Sequence, residues 1–319
     1  MMARTRLYFT TDIHGSEVCF KKFLNAGAFY KADVLILGGD ITGKAVVPII
    51  EKTDGYFHCK FLGEYVKVKK GKELDELIQK IRAIGFYPYT TNSSEAEELS
   101  QNQDKLDALF TELMKETISR WLKIAEERLK GTKIKCFVSP GNDDSFSIDP
   151  ILDKSTCVIN PNEKIVTISN DLEMISLGSS NITPWKCPRD IPEEELLTKI
   201  NNLASKLENP EKSIFNIHVP PYASGIDMAP ELDEDLRPKL EPGGKFKMIP
   251  VGSKAVHDAI VKYQPLLGLH GHIHESKGFT KIGRTLCLNP GSEYQEGILR
   301  GVLIQFSNGK IKDFMFVAG

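Results

Sequence analysis

The chain has 319 residues, 41% of them hydrophobic and 26% charged, with a formal net charge of −2 at neutral pH. That balance suits a globular protein with a large core, and nothing in it calls for nucleic acid or an anionic membrane as a partner. No apolar run nears the ~18 residues of a membrane span, no signal peptide is expected, and six scattered cysteines without a CxxC pair fit a reducing, cytoplasmic setting.

Residues 6–11 form a short β-rich run that ends in Asp12-Ile13-His14-Gly15. Residues 17–26 carry Val18, Phe20, Phe23 and Leu24 on one helical face. The run 32–37 is almost purely apolar, as expected of a strand covered on both faces, and ends in Gly38-Gly39-Asp40. A polar hairpin is predicted over 56–61 and 64–68, then an amphipathic helix over 73–84, a loop over 87–92 and a capping box at Ser94 and Glu97. Residues 104–130 read as one long helix ended by Gly131. The stretch 54–103 is expected to be a mainly helical insertion beside or over the site.

Residues 133–138 form a third apolar strand, ending in Pro140-Gly141-Asn142-Asp143-Asp144. Short strands over 157–159, 164–168 and 172–177 suggest antiparallel β structure. An irregular loop over 181–192 carries Trp185, Cys187 and Arg189 and leads into a helix over 193–207. The strand 213–217 runs into His218, and a Pro/Gly/Asp-rich loop follows to Pro250. Ser253 caps a helix to residue 262; the strand 265–269 then runs into His270-Gly271-His272-Ile273-His274. A strand over 285–288 ends in Asn289-Pro290-Gly291-Ser292, and a hairpin through Asn308-Gly309 closes the chain.

Five strand-like runs therefore end in Asp12 and His14, in Asp40, in Asn142, in His218, and in His272 with His274. The carboxyl ends of parallel strands share one edge, where ligands bind. Two carboxylates, one amide and four imidazoles are too many for one tetrahedral ion and suit two ions with a bridging carboxylate. Each residue alone also has an ordinary reading as a turn, cap or interior side chain.

Taken in order, Asp12-Ile13-His14, Gly39-Asp40, Gly141-Asn142, His218 and Gly271-His272-Ile273-His274 resemble the motifs of the calcineurin-like metallophosphoesterases, over nearly the whole chain. The resemblance implies a four-layer α/β/β/α sandwich, so the two domains suggested by length give way to one catalytic domain over 1–319. It implies Asp12, His14, Asp40 and His274 on one metal and Asp40, Asn142, His218 and His272 on the other. It also implies two divalent ions, Mn2+ first, with Fe, Zn or Ni as alternatives. Asp143 stands where the family usually has a histidine that meets the phosphoryl group. An ionised aspartate there would repel an anionic substrate, so it is expected to turn away or to bind another group.

The expected reaction is in-line attack on phosphorus by a hydroxide that bridges the two ions, with Asp40 between them. Phosphodiesters are favoured over monoesters because they bring less negative charge towards Asp143. The expected substrate is a small phosphoester, nucleotide-like among the candidates, and Trp185, Arg189 and Tyr222 are candidates to shape its pocket. The rival is a metal-bound, non-catalytic scaffold for a protein partner, suggested by Asp143 and the insertion. A nucleotide-binding module is disfavoured because Gly38-Gly39-Asp40-Ile41-Thr42-Gly43 lacks the GxGxxG spacing. His58 and His257 are expected to be structural or surface residues, and His270 has no assigned role.

Overall fold

Every residue of the strands Val34–Leu37, Ile214–Ile217 and Leu267–Leu269 is buried. Side chains alternate across a strand, so consecutive burial needs cover on both faces. The computed structural model, which describes residues 4–169 and 172–319, supplies that cover with two large sheets and helices outside each.

The first sheet runs in the order Lys310–Ala318, Arg300–Ser307, Arg4–Thr10, Val34–Leu37, Lys135–Val138, its last three strands parallel. The second runs Gly278–Ile282, Thr285–Asn289, Leu267–Leu269, Ile214–Ile217, Leu172–Leu177, Ile165–Ser169, its four inner strands parallel. Leu7, Phe9, Val34, Ile36 and Phe137 of the first sheet share one apolar cluster with Met174, Ile214, Leu269 and Leu288 of the second. The alternate residues Tyr8, Leu35, Leu37 and Val138 face away and pack on helices Glu17–Phe29 and Gln103–Leu129 through Phe20, Phe23 and Trp121. Ile175, Leu177, Phe215 and Ile217 pack on helices Glu193–Ala204 and Lys254–Tyr263 in the same way. The ring of Phe20 stacks on Trp121 at 4.4 Å between centroids, a geometry that adds ~1 kcal/mol to the burial of the two rings.

The segment after Asp40 departs from the sequence reading. Residues 46–101 carry a four-stranded sheet, ordered Glu64–Lys69, Tyr56–Phe61, Val46–Glu51, Tyr87–Asn92, with two helices rather than a mainly helical unit. Residues 87–92, expected as a loop, are its edge strand, and Val46–Glu51 was not anticipated. Both strands contain proline, which reads as a breaker. Pro88 lies on the edge, and Val46–Glu51 pairs with Tyr56–Phe61 only at Ile50 and Glu51, so neither proline interrupts a ladder. Asn92, not Ser94, caps the next helix, its side chain accepting from the Glu95 N–H at 3.0 Å.

Three smaller expectations also change. Leu172–Leu177 pairs antiparallel with Ile165–Ser169 but parallel with Ile214–Ile217. Residues 157–159 contribute only an isolated bridge from Ile159 to Phe137. The long loop to Pro250 folds into a two-stranded arm, Met228–Pro230 with Met248–Pro250. Among the described residues no helix is long and apolar enough to cross a membrane.

Candidate metal centre

The five strand ends converge, though from two sheets rather than one. Arg4–Thr10, Val34–Leu37 and Lys135–Val138 deliver Asp12, His14, Asp40 and Asn142, while Ile214–Ile217 and Leu267–Leu269 deliver His218, His272 and His274. Glycines make the convergence possible. A Cβ on Gly141 would lie 2.2 Å from Asp40 Oδ1, one on Gly39 2.3 Å from His218 Nδ1, and one on Gly271 2.3 Å from Asp12 Oδ2. The backbone is strained where these side chains meet: Asp12, His14, Asp40 and His272 all have positive φ, at 53°, 37°, 49° and 66°. Each such non-glycine residue costs on the order of 1–2 kcal/mol, held by the surrounding structure.

His14 Nε2 lies 3.0 Å from His274 Nε2, and His274 Nε2 lies 3.4 Å from Asp12 Oδ1. His218 Nε2 lies 3.4 Å from Asp40 Oδ1 and 3.7 Å from Asp12 Oδ1, and His14 Nε2 lies 3.7 Å from Asp40 Oδ2. Neighbouring ligands on one ion with bonds of ~2.1 Å lie about 3.0–3.4 Å apart, so these spacings fit a metal. Three sets of ligand atoms are close enough together to share an ion: Asp12, His14 and His274; Asp40, His218 and His272; and His14, Asp40 and Asp143. Among the described residues, Asn142 Oδ1 and both ring nitrogens of His218 are buried without a hydrogen-bond partner. Buried polar atoms are costly when unpaired, so the site fits a cation that the Asn142 oxygen and, once His218 loses its proton, one of its ring nitrogens would meet.

The charges follow from the geometry. Burial alone would raise Asp12 and Asp40, but the imidazoles around them, His218 foremost, hold both carboxyls below the usual range. Burial pushes His14 down to about 3 and His272 down to about 4, leaving both neutral, the form that binds metal. Burial opposes charge on His218 as well, but Asp40 and Asp12 outweigh it and raise it to about 9.

Other residues hold the ligands in place. The His272 N–H donates to both Asp12 oxygens, at 3.1 and 3.0 Å, and Ser292 donates to the Asp12 carbonyl. Asn289, at the end of the strand Thr285–Asn289, donates to the carbonyls of Gly271 and Ile273 and so fixes the histidine loop. Asn142 Nδ2 donates to Asp190 Oδ1 at 2.9 Å, which leaves the amide oxygen for the centre. Asp144 is fully buried and accepts from Ile41 N, Thr42 N, Thr42 Oγ1 and Gly141 N, clamping the Asp40 and Asn142 loops together. Burial, and then the Asp40 charge, push the Asp144 carboxyl up to about 6.

The remaining expected residues divide. Asp143 does not turn away: it lines the cleft, with Oδ2 3.8 Å from His14 Nδ1, its N–H on Asp40 Oδ1 and its carboxylate in an ion pair with Lys44. Trp185 and Tyr222 line the cleft, but Arg189 does not. Its guanidinium is buried against Asp149 and the carbonyls of Asp144 and Ser145, under the ring of Phe146. His270 points away from the metal ligands and holds the Ile217 carbonyl at 2.8 Å, tying the two strands that carry His218 and His272. His58 pairs with Asp54 and Tyr65 in the satellite sheet, and His257 is a surface residue beside Asp258. The clamp made by Asp144, the hold of Asp190 on Asn142 and the pairing of Lys44 with Asp143 were not read from the sequence, because no local spacing marks these contacts.

The cleft over the centre has a volume of about 1020 Å³. Its lining combines the polar groups of the centre with the apolar residues Ile182, Pro184, Trp185, Leu236, Pro238 and Ile249. No residue of 46–101 lines it. The satellite instead abuts the centre from behind: a Cβ on Gly85 would lie 1.9 Å from the His14 carbonyl, and Tyr87 accepts from the Gly43 N–H through its hydroxyl at 2.7 Å.

No protein-family model matches the chain. It is 32% identical over 154 residues to the uncharacterized protein MJ1162 of Methanocaldococcus jannaschii, a match that covers 47% of this chain and 61% of that one. The match thus spans less than two thirds of that relative's length. One crystal structure aligns over 99% of both chains with a TM-score of 0.58 at 16% identity. The structure of TT1561 from Thermus thermophilus aligns over 96% of this chain and 99% of its own, with a TM-score of 0.53 at 14% identity. At this level of identity the two alignments show a shared fold.

Proposed function

We propose that this chain is a phosphoester hydrolase working with two divalent cations. The observation that carries this reading is the meeting of Asp12, His14, Asp40, His218, His272 and His274 from separate strand ends, with the buried, unpaired oxygen of Asn142 beside them in the same cleft lining as His14, Asp40, His272 and His274. Asp12, His14, Asp40 and His274 would hold one ion, and Asp40, Asn142, His218 and His272 the other, with Asp40 shared. Bound there, the ions supply Lewis acidity to phosphoryl oxygens and make water a nucleophile near neutral pH. The protein's own part is to fix the ligands through Asp144, Asp190, Asn289 and Ser292, so that little rearrangement accompanies the reaction. Water oxygen bonds to phosphorus, the ester P–O bond breaks, and the leaving oxygen takes up a proton.

A phosphodiester is the favoured substrate class. A cleft of about 1020 Å³ leaves room for a second ester group beyond the centre, against walls that include Trp185 and Leu236. In this reading the chain is one catalytic domain, and 46–101 is an insertion that buttresses the His14 loop. The ion pair of Asp143 with Lys44 supports the hydrolase over the scaffold, because it offsets negative charge that would otherwise face an anionic substrate. Metal-stripped protein reloaded with Mn2+ should hydrolyse bis(p-nitrophenyl) phosphate faster than p-nitrophenyl phosphate. Metal-loaded protein that turns over neither ester would count against the hydrolase.

A further inference from the structure

We propose that Lys44 is the cationic ligand for the substrate's phosphoryl group, held at the centre by Asp143, so that this pair serves where related sites use a histidine. The inference rests on the reading of the site as a phosphoester-binding metal centre. Lys44 lies four residues after Asp40, on a loop fixed at three consecutive amides: Ile41 N and Thr42 N donate to Asp144, and Gly43 N donates to the Tyr87 hydroxyl. Asp143 comes from the opposite loop and is tied to Asp40 through its own N–H. Asp144 clamps the two loops, so both members of the pair are referenced to Asp40.

The position of the ammonium is what makes this a substrate contact. Among the described residues that line the cleft, the lysines are Lys44 and Lys254. Lys254 extends over the ring of Tyr222, at 5.4 Å. Lys44 instead pairs with Asp143, whose other near neighbour is His14 of the ligand set. An ammonium has three donors, and Asp143 engages one side of it, leaving the others for a phosphoryl oxygen. The pairing also cancels the charge that Asp143 would otherwise turn on an anionic substrate. The Lys44 side chain is only partly shielded, with 43% of its surface exposed, so an incoming ester can reach it.

The test is binding of inorganic phosphate to Mn2+-loaded protein by calorimetry, with metal content measured on the same samples. Lys44→Met should keep the wild-type metal content and bind phosphate about tenfold more weakly or worse, the size of one lost charge-assisted contact. Lys44→Arg should recover part of that loss, and Asp143→Asn should keep the wild-type metal content. Phosphate affinity within twofold of wild type in Lys44→Met, at equal metal content, would overturn the assignment. So would loss of an ion from Asp143→Asn, which would make Asp143 a metal ligand and Lys44 merely its counter-ion. Wild-type protein that takes up no metal would instead sink the hydrolase reading itself, an outcome separate from either of these.

Discussion

The loops at the strand ends and the satellite sheet of 46–101 use glycine in opposite ways. Around the centre, a Cβ on Gly15, Gly39, Gly43, Gly141 or Gly271, or on Gly85 where the satellite meets the His14 loop, would strike backbone or an Asp, His or Thr side chain within 2.6 Å. In the satellite, Gly55, Gly63 and Gly71 have nothing within 4 Å of that position. The first set exists because two loops must touch, and the second only because a turn needs positive φ. Mutations should therefore separate the two regions sharply, with function lost in one and only stability altered in the other.

The largest effect is expected at Gly141. Alanine there must displace Asp40, whose side chain and backbone nitrogen both lie within 2.3 Å of the added carbon. Gly141→Ala should lower Mn2+ affinity by about a hundredfold or more, read by calorimetry, since ligand placement tolerates little error. Asp190 comes next, since it holds the Asn142 amide and the loop amides of Thr183 and Cys187. Asp190→Ala should cost about 10–100-fold in metal affinity, the usual penalty for removing a residue that orients a ligand.

The pH dependence is a milder test of the same region. In the metal-free protein His218 keeps its proton up to about pH 9. Its folded pKa is raised above the unfolded value, so the stability it adds is full below the unfolded pKa and is lost as pH rises through about 9. A metal must displace that proton, so apparent Mn2+ affinity should climb by about tenfold per pH unit from neutral pH and level off above the folded value. A flat profile between pH 7 and 8.5 would show that no such proton is displaced. The smallest effect belongs to the satellite. Leu62 and Gly63 both have positive φ in the hairpin turn, and Leu62 is 71% exposed. Asn-Gly suits that turn better, so Leu62→Asn should stabilise by about 0.5–1 kcal/mol and raise the melting temperature a few degrees, with metal affinity unchanged.

The same contrast explains what the sequence could and could not tell. Asp12, Asp40, Asn142, His218 and His272 were legible because each ends an apolar run, and a run's end is a local signal. That the runs divide between two sheets was not visible in the runs themselves and came only with the family resemblance. Asp144 and Lys44 were not legible, since their partners lie 103 and 99 residues away and no spacing encodes such contacts. The satellite was misread for a different reason. Pro48 and Pro88 look like breakers, and only the pairing pattern shows that each occupies a position where no ladder bond is needed.

The most direct measurement is the metal content of protein stripped, reloaded with Mn2+ and dialysed, with Asp40→Asn alongside. The shared Asp40 predicts two ions per chain in the wild type, and in the variant a loss at both positions. A single ion in the wild type, or two retained by Asp40→Asn, would contradict the two-ion centre on which the account stands.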